Sequence, residues 1–303
     1  MKQKFIVVFI ACLSLSVLAF IFMPSITRLA IKEKHVVLAN AEEDDLSLEE
    51  EQMREWHMKK LKQIVREEIN TNIEHVDYEA NNKVNIPVLM YHSIDYEKGN
   101  ELRVPKETFE KHMEWLHKKG FNTLTMKEYY NAISTGKQVP KKAILITFDD
   151  GYKDNYTNGL PVMKRYKMKG TIFVITSTID KSRAYINSEE IKEFHQNNFD
   201  IESHTVNHRE LNHMSYEEQL SELKASKETL DKLLSKETTA ICYPVGRYNE
   251  DTLKACKEAG YKLAFTTVPG FSNVDQGVYK LKRIRINAST TVEQMELMLG
   301  SYQ

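Results

Sequence analysis

The sequence predicts an α/β fold with a parallel sheet, because short apolar runs alternate with longer amphipathic segments along most of the chain. The strand-like runs are residues 86–91, 143–147, 171–175, 200–202, 240–243 and 262–266. Helical patterns lie at residues 105–119, 126–134, 158–166, 188–197, 215–234, 250–259 and 291–299. Capping chemistry marks two helix starts, where Ser215 has Glu218 three residues on and Asn249 precedes Glu250. Strands that alternate with helices form a parallel sheet with both faces covered.

The composition limits the possible partners and the possible stabilising devices. With 303 residues, 41% of them hydrophobic, the chain can form one large or two modest domains with a real core. The net charge is −1, so no global basic field favours nucleic acid, and we expect none as a partner. The three cysteines are Cys12, Cys242 and Cys256, which indicate neither a disulfide framework nor a cysteine-based zinc site.

The N-terminus predicts export. Lys2 and Lys4 precede an uncharged apolar run over residues 5–23, which is long enough to span a bilayer. We favour a signal anchor that holds the remaining chain at the extracellular face of the cell membrane. The alternative is a cleaved signal peptide with an A-x-A site at residues 39–41, which would leave a secreted or cell-wall protein. That site lies farther beyond the apolar run than is usual.

Three regions follow from these patterns: a signal anchor or signal peptide at 1–24, a stalk helix and linker at 25–83, and a catalytic domain at 84–303. Residues 45–70 have the pattern of an exposed helix, and we favour a stalk or a helix that packs on the domain. A coiled-coil dimerisation segment is the alternative, but fewer than about four heptads are available. We therefore expect a monomer.

Two adjacent carboxylates follow the strand-like run at 143–147, where residues 147–152 read Thr-Phe-Asp-Asp-Gly-Tyr. The carboxyl end of a parallel strand is where α/β proteins place their chemistry, and a glycine there lets the chain turn sharply. Successive side chains that leave a strand point in different directions. Asp149 and Asp150 can therefore take different roles, one holding a metal and the other handling a proton.

A second polar cluster follows the strand-like run at 200–202, where residues 203–208 read Ser-His-Thr-Val-Asn-His. His204 and His208 are four residues apart, so on one helical turn they would face the same way. Two imidazoles in that arrangement can bind one metal ion.

Together, these two motifs resemble those of the polysaccharide deacetylase family, carbohydrate esterase family 4, whose first motif is TFDDG and whose second is H-[ST]-x-x-H. The likeness extends from residue 84 to residue 298. It implies a distorted (β/α)7-type barrel and the hydrolysis of an N-acetyl group. It also implies that Asp150, His204 and His208 hold a divalent metal, while Asp149 is the general base. Zinc is the default metal for such nitrogen and oxygen ligands, and nickel, cobalt or iron would also fit.

A third string, residues 240–249, resembles the family's turn of proline, an aromatic residue and glycine. The resemblance assigns the oxyanion hole to the backbone N–H of Val245, the residue after the proline. The family's arginine two residues before the proline, which orients the base, is replaced here by Cys242. Arg283 or Arg285 is the candidate substitute, and a solvated charge on a strand is the alternative for each.

The proton donor departs from the common family pattern. Most members carry a leucine-x-histidine near the C-terminus, whereas residues 281–283 here read Leu-Lys-Arg and no histidine follows His213. The best candidate is His92, at the end of the apolar run 86–91. The sequence around His92, residues 86–94, resembles that of the family branch that deacetylates poly-β-1,6-N-acetylglucosamine, a biofilm exopolysaccharide. A structural role for His92 is the alternative. We expect the other histidines to lie outside the barrel, to be structural or to lie at the surface: His112, His117, His195 and His213.

The tyrosines near these motifs can stack on sugar rings. Tyr152 and Tyr243 are the preferred candidates for the site wall, whereas Tyr156, Tyr185 and Tyr248 more often pack than bind.

The expected function is therefore that of a metal-dependent hydrolase that removes N-acetyl groups from an N-acetylglucosamine polymer, with poly-β-1,6-N-acetylglucosamine as the first choice. Peptidoglycan N-acetylglucosamine or chitin oligosaccharides are the alternative substrates, because TFDDG does not separate them. From another class, a glycan-binding pseudoenzyme is motivated by the missing C-terminal histidine. The four intact motif residues weigh against it.

Overall fold

The structure is a computed structural model that describes residues 85–300 and, apart from them, Lys59. The predicted membrane segment at 1–24 and nearly all of the predicted stalk at 25–83 therefore lie outside the described residues. Within the part of the chain that is described, no helix combines the length and the apolar character needed to cross a membrane.

The sheet is a closed barrel of parallel strands, which confirms the predicted α/β class and the barrel implied by the resemblance. The strands are β1 (Val88–Tyr91), β2 (Asn122–Thr123), β3 (Ala143–Phe148), β4 (Gly170–Val174), β5 (Phe199–Ser203), β6 (Ala240–Cys242), β7 (Leu263–Pro269) and β8 (Leu281–Arg285). Strand β1 pairs with both β3 and β8, so β1 and β3 to β8 form a ring of seven. Among the described strands, the two-residue strand β2 pairs only with β3, at its start.

Helices follow most strands. They are α1 (Lys106–Lys118), α2 (Met126–Thr135), α3 (Leu160–Arg165), α4 (Ser188–Gln196), α5 (Tyr216–Leu234), α6 (Glu250–Glu258) and α7 (Val292–Leu299). The capping box predicted at Ser215 and Glu218 is confirmed at the start of α5, and Asn249 caps α6 through the N–H of Thr252. The helix predicted at 158–166 is preceded by one π-helical turn, Asn155–Gly159.

Period-two alternation along the strands decides which side chains enter the barrel. One buried cluster includes Ala143 and Leu145 of β3 together with residues of β1, β4, β6, β7 and β8, so it fills the interior. Ile144, Ile146 and Phe148 point the other way and pack in the cluster that includes residues of α1, α3 and α4. Asp149 continues the inward series of β3, because it is two residues beyond Thr147 and four beyond Leu145.

Candidate active site

The polar residues singled out by the sequence lie at the carboxyl ends of β1, β3, β5, β6 and β8. Because all pairings in the ring are parallel, these ends meet at one end of the barrel. The site is built around the two adjacent carboxylates that follow β3.

Asp149 is buried and held by Arg283 through two parallel hydrogen bonds. Arg283 Nη1 and Nη2 donate to Asp149 Oδ1 and Oδ2, each at 2.7 Å, and the two side chains are 0% and 2% exposed for Arg283 and Asp149. The guanidinium is itself fixed, because Nη1 donates to Thr147 Oγ1 at 3.1 Å and Nε donates to the carbonyl of Thr266 at 2.9 Å. Burial by itself raises the pKa of Asp149, but the adjacent guanidinium outweighs burial and holds that pKa well below its ordinary value. Asp149 is therefore ionised at neutral pH.

Cys242 occupies the space beside this ion pair. Its Sγ lies 2.7 Å from Arg283 Nη2 and 3.5 Å from Asp149 Oδ2. Burial raises the pKa of the thiol, so Cys242 remains neutral and its S–H can donate to the carboxylate. Of the two arginines considered as a replacement for the family's arginine, Arg283 is the one at Asp149, whereas Arg285 is exposed at the end of β8.

Asp150 turns away from Arg283 towards the two histidines. Its Oδ1 lies 3.3 Å from His204 Nε2 and 3.4 Å from His208 Nε2, and the two imidazole rings are 4.7 Å apart between centroids. Asp150 has a φ of 72° and Gly151 a φ of 78°, so two left-handed residues in succession redirect the chain after β3. This turn explains how neighbouring carboxylates face different partners.

The segment that carries the two histidines is a loop, so the expectation of one helical turn is wrong. Thr205 has a φ of 65° and His208 a φ of 55°, which no helix contains. The buried carboxylate of Glu222 on α5 braces this loop by accepting from the N–H of Val206 at 3.0 Å and the N–H of Asn207 at 3.1 Å. It also accepts from the side-chain amide of Asn207 at 2.7 Å. The histidines converge because the loop is folded back, a geometry that helical spacing did not predict.

Within the described part of the chain, two groups of side chains bring potential metal ligands within 4.8 Å of one another: Asp150, His204 and His208, and Asp149, His204 and Cys242. The first group fits a divalent cation. His204 Nδ1 lies 2.8 Å from the carbonyl of Cys242, and a proton donated there leaves Nε2 as the free ligand atom that faces Asp150. The second group does not fit, because the guanidinium of Arg283 already neutralises Asp149 and would repel a cation.

His92 directly follows β1, earlier in the chain than Asp149. Its Nε2 is 3.9 Å from Asp149 Oδ2. The residue is 9% exposed. Burial lowers the pKa of His92, and the carboxylates of Asp149 and Asp150 oppose that effect. The structure thus brings the predicted donor, the predicted base and the predicted metal ligands into one region.

Of the remaining predicted site residues, Val245 and Tyr152 lie where a substrate could reach them. Val245 is 53% exposed in the turn Pro244–Gly246, next to the end of β6. Tyr152 is half-buried and stacks on Tyr185, with ring centroids 5.3 Å apart.

Tyr243 does not line the site, which corrects the sequence-based expectation. Its side chain is 0% exposed, and its hydroxyl donates to the carbonyl of Tyr279 at 3.0 Å. Cys242 points into the barrel, so its neighbour Tyr243 points outwards and packs with Leu223 of α5 and Ala255 of α6. The inward and outward alternation of side chains along β6 predicts that Tyr243 points away from the barrel interior.

A seven-stranded parallel barrel that places a carboxylate and two imidazoles beside a second, buried carboxylate is the arrangement of a metal-dependent hydrolase. The sequence profile of the polysaccharide deacetylase family matches residues 136–264. YxkH of Bacillus subtilis (strain 168), a protein assigned to the polysaccharide deacetylases, is 48% identical over 202 residues, which cover 67% of this chain and 71% of YxkH. The chain belongs to the polysaccharide deacetylase family and is a hydrolytic deacetylase of that class.

Two further relatives extend this result. The Streptococcus pyogenes deacetylase PplD, solved in complex with acetate, is 35% identical and superimposes with a TM-score of 0.69 over 71% of this chain and 98% of PplD. The poly-β-1,6-N-acetyl-D-glucosamine N-deacetylase of Staphylococcus aureus (strain N315) is 30% identical over 200 residues, which cover 61% of this chain and 68% of that protein.

Proposed function

We propose that this protein removes N-acetyl groups from N-acetylglucosamine units of an extracellular polysaccharide, with poly-β-1,6-N-acetylglucosamine as the preferred substrate. The observation that supports the reaction is the convergence of Asp150, His204 and His208 beside Asp149, which is held by Arg283 and faced by His92. Asp150, His204 and His208 offer a metal site. Asp149 and His92 supply an ionised carboxylate and an imidazole for proton transfer.

Asp150, His204 and His208 are the residues that would hold the divalent metal, for which zinc is the default and nickel, cobalt or iron are alternatives. When bound, such an ion would lower the pKa of a coordinated water from about 16 towards about 7 and would polarise the acetyl carbonyl. The side chain of His208 is 34% exposed, against 2% for His204, so this cluster is open to solvent and substrate on the His208 side.

Asp149 acts as the general base. Its ionised carboxylate accepts a proton from the water whose oxygen attacks the acetyl carbon, a contribution of about 10²- to 10⁴-fold to the rate. Arg283 keeps Asp149 ionised and fixes both of its oxygens, so the base does not need to reorient. The backbone N–H of Val245 donates to the oxyanion that forms as the carbonyl carbon becomes tetrahedral.

His92 acts as the general acid. The carbon–nitrogen bond breaks as His92 gives a proton to the leaving nitrogen, which releases acetate and a free amine on the sugar. The imidazolium is the form of His92 that gives up this proton, and the carboxylates of Asp149 and Asp150 favour that form by opposing the effect of burial on the pKa of His92. Tyr152, stacked on Tyr185 beside Asp150, offers an aromatic wall for a sugar ring.

The preference for poly-β-1,6-N-acetylglucosamine rests on two observations. The candidate donor directly follows β1 and does not lie near the C-terminus, and the Staphylococcus aureus relative carries that substrate in its name. Peptidoglycan and chitin oligosaccharides remain the competing substrates, because specificity within a fold is decided by the loops that form the groove.

The test is acetate release by the purified full-length chain, loaded with zinc, from β-1,6-linked and β-1,4-linked N-acetylglucosamine oligomers and from peptidoglycan. We expect the β-1,6-linked oligomer to give the highest kcat/KM. An equal or higher value with a β-1,4-linked substrate would overturn the substrate assignment, and binding of every glycan without acetate release would favour the glycan-binding pseudoenzyme.

The N-terminal sequence supports a proposal for the place where the protein acts. We propose that residues 1–24 tether the protein, as a monomer, to the extracellular face of the cell membrane, since the apolar run is long enough to span it. A secreted or cell-wall form would result if the segment were cleaved.

A further inference from the structure

The chain leaves the barrel at the end of β1, and three consecutive residues there, His92, Ser93 and Ile94, are tied to one short segment after β3. The carbonyl of His92 accepts from Asn155 Nδ2 at 2.7 Å, and the carbonyl of Ile94 accepts from Asn158 Nδ2 at 2.8 Å. The hydroxyl of Ser93 donates to Asp154 Oδ2 at 2.8 Å. The N–H of Ile94 donates to Asp154 Oδ1 at 2.6 Å.

These contacts matter because the His92 ring is not oriented by a hydrogen bond to its own Nδ1. A histidine that transfers protons is usually held in place by a carboxylate or a carbonyl that accepts from the second ring nitrogen. His92 Nδ1 is buried and has no hydrogen-bond partner among the described residues. The position of the ring therefore depends on the position of its backbone, and Asn155 is the residue bonded to the carbonyl of His92.

We propose that Asp154, Asn155 and Asn158 form an acid clamp, a set of positioning residues that hold His92 at its working distance from Asp149. The proposal rests on the proposed role of His92 as general acid. It adds three residues whose side chains bond to the backbone of residues 92 and 94 and to the hydroxyl of Ser93, and that act on His92 through this segment.

The placement of the acid clamp in the chain supports this role. It begins four residues after Asp150, so the same segment that carries the base and a metal ligand also fixes the donor. Asn155 and Asn158 both lie in the π-helical turn Asn155–Gly159, and wide turns of this kind occur frequently at functional sites. Asn155 is 1% exposed, so its Nδ2 donates to the carbonyl of His92 and not to solvent.

The test compares two acetylated substrates that differ in their need for an acid. The nitrogen of an N-acetylglucosamine oligomer must be protonated as it leaves, whereas the phenolate of 4-nitrophenyl acetate leaves without a proton. For Asn155→Ala in the zinc-loaded full-length protein, we expect kcat for the oligomer to fall by about 10- to 100-fold. We expect KM for the oligomer, zinc content and the rate with the ester to stay within about twofold of the wild type, because base and metal are untouched.

A double-mutant cycle separates positioning from general damage. If Asn155 acts through His92, adding Asn155→Ala to His92→Ala should cause no further loss with the oligomer. The matched control is Asn197→Ala, which also removes one asparagine-to-carbonyl hydrogen bond, of 2.8 Å to Glu193, but lies at the end of α4. It should leave both rates unchanged.

Three outcomes would overturn the proposal. They are equal losses with oligomer and ester, a full additional loss in the double variant, and wild-type kcat in Asn155→Ala while His92→Ala is slow. If His92→Ala itself retains full activity on the oligomer, the role of His92 in the proposed function fails, which is a different result. Asn158→Ala is the second variant if Asn155→Ala does not fold, and it should show the same selectivity with a smaller loss.

Discussion

The two halves of the site are held in different ways. In the metal half, His204 and His208 both face Asp150, the ring of His204 is bonded to the carbonyl of Cys242, and Glu222 braces the loop. In the donor half, His92 has no bond to its Nδ1 among the described residues, and the acid clamp holds the backbone of residues 92 and 94 and the hydroxyl of Ser93 but not the His92 ring. Side chains are fixed directly in the first half and indirectly in the second.

Mutations in the two halves should therefore change different measured quantities. Loss of a contact in the metal half lowers the affinity for the ion, because the ligand atoms themselves move. Loss of a contact in the donor half lowers only the rate of the step that needs the acid. Asp149 is common to both halves, because it lies between Arg283 and His92 and directly precedes Asp150 in the chain.

The greatest loss of activity is expected when one of the two adjacent carboxylates, Asp149, is replaced. Asp149→Asn should lower kcat for amide hydrolysis by about 10³- to 10⁴-fold, because the general base is lost while the metal ligands remain. Its metal content, measured by elemental analysis of the folded protein, should stay near one ion per chain. The variant should also be less stable, since the buried guanidinium of Arg283 loses its counter-charge.

Asp150→Asn is the matched variant for that experiment. It removes the same charge one residue later, and we expect it to lose the metal as well as the activity. If Asp149→Asn loses its metal to the same extent as Asp150→Asn, the division of roles between the two carboxylates is wrong.

A smaller effect is expected from the brace on the metal half. Glu222→Ala should weaken zinc binding by about 10- to 100-fold, because the loop that carries His204 and His208 loses three hydrogen bonds. At saturating zinc, kcat should return close to the wild-type value, since the ligands and the base are intact. Titration of the metal-free protein with zinc, followed by a competing chelator, measures the affinity.

Glu217→Ala is the control, because this exposed residue lies at the start of the same helix and, among the described residues, forms no hydrogen bond to the loop. Unchanged zinc affinity in Glu222→Ala would mean that the left-handed loop keeps its shape without the brace.

The same contrast explains how much of the site could be predicted from the sequence. Asp149, Asp150, His204 and His208 stand in contiguous motifs at the ends of apolar runs, so both their presence and their end of the barrel could be inferred. The backbone that makes the histidines converge could not, because positive φ at Thr205, a β-branched residue, has no local signal.

The contacts of Arg283 were harder still to predict. Strand β8 carries Lys282, Arg283 and Arg285 within five residues, so its pattern does not resemble a buried strand. Arg283 enters the barrel to pair with Asp149, which is 134 residues earlier in the chain. A buried ion pair over that separation is decided by the closure of the ring, which no local pattern encodes. The acid clamp has the same character, although it lies just after the TFDDGY motif.

A further effect, on stability and not on the rate, is expected from a histidine that contacts the residue before the donor. His112 on α1 is buried, with Nδ1 3.1 Å from the hydroxyl of Tyr91 and Nε2 2.9 Å from the carbonyl of Thr290. Tyr91 directly precedes His92. Burial lowers the pKa of His112 to about 4, partly opposed by the bond to Thr290.

Because the folded-state pKa lies below the unfolded value of about 6.5, the unfolded chain binds a proton that the folded protein does not between these two pH values. The free energy of unfolding should therefore fall as the pH is lowered from about 6.5 to about 4, by about 3 kcal/mol from this residue. Urea unfolding at a series of pH values measures the slope of the free energy of unfolding against pH. The variant His112→Gln should lose the contribution of this residue to that slope.

The control is His117→Gln, on the same helix but exposed. It should keep the full slope, which would show that the effect comes from the buried His112. Equal slopes in the wild type and in His112→Gln would mean that His112 is not held neutral by its surroundings, and that the acid sensitivity of this protein arises elsewhere.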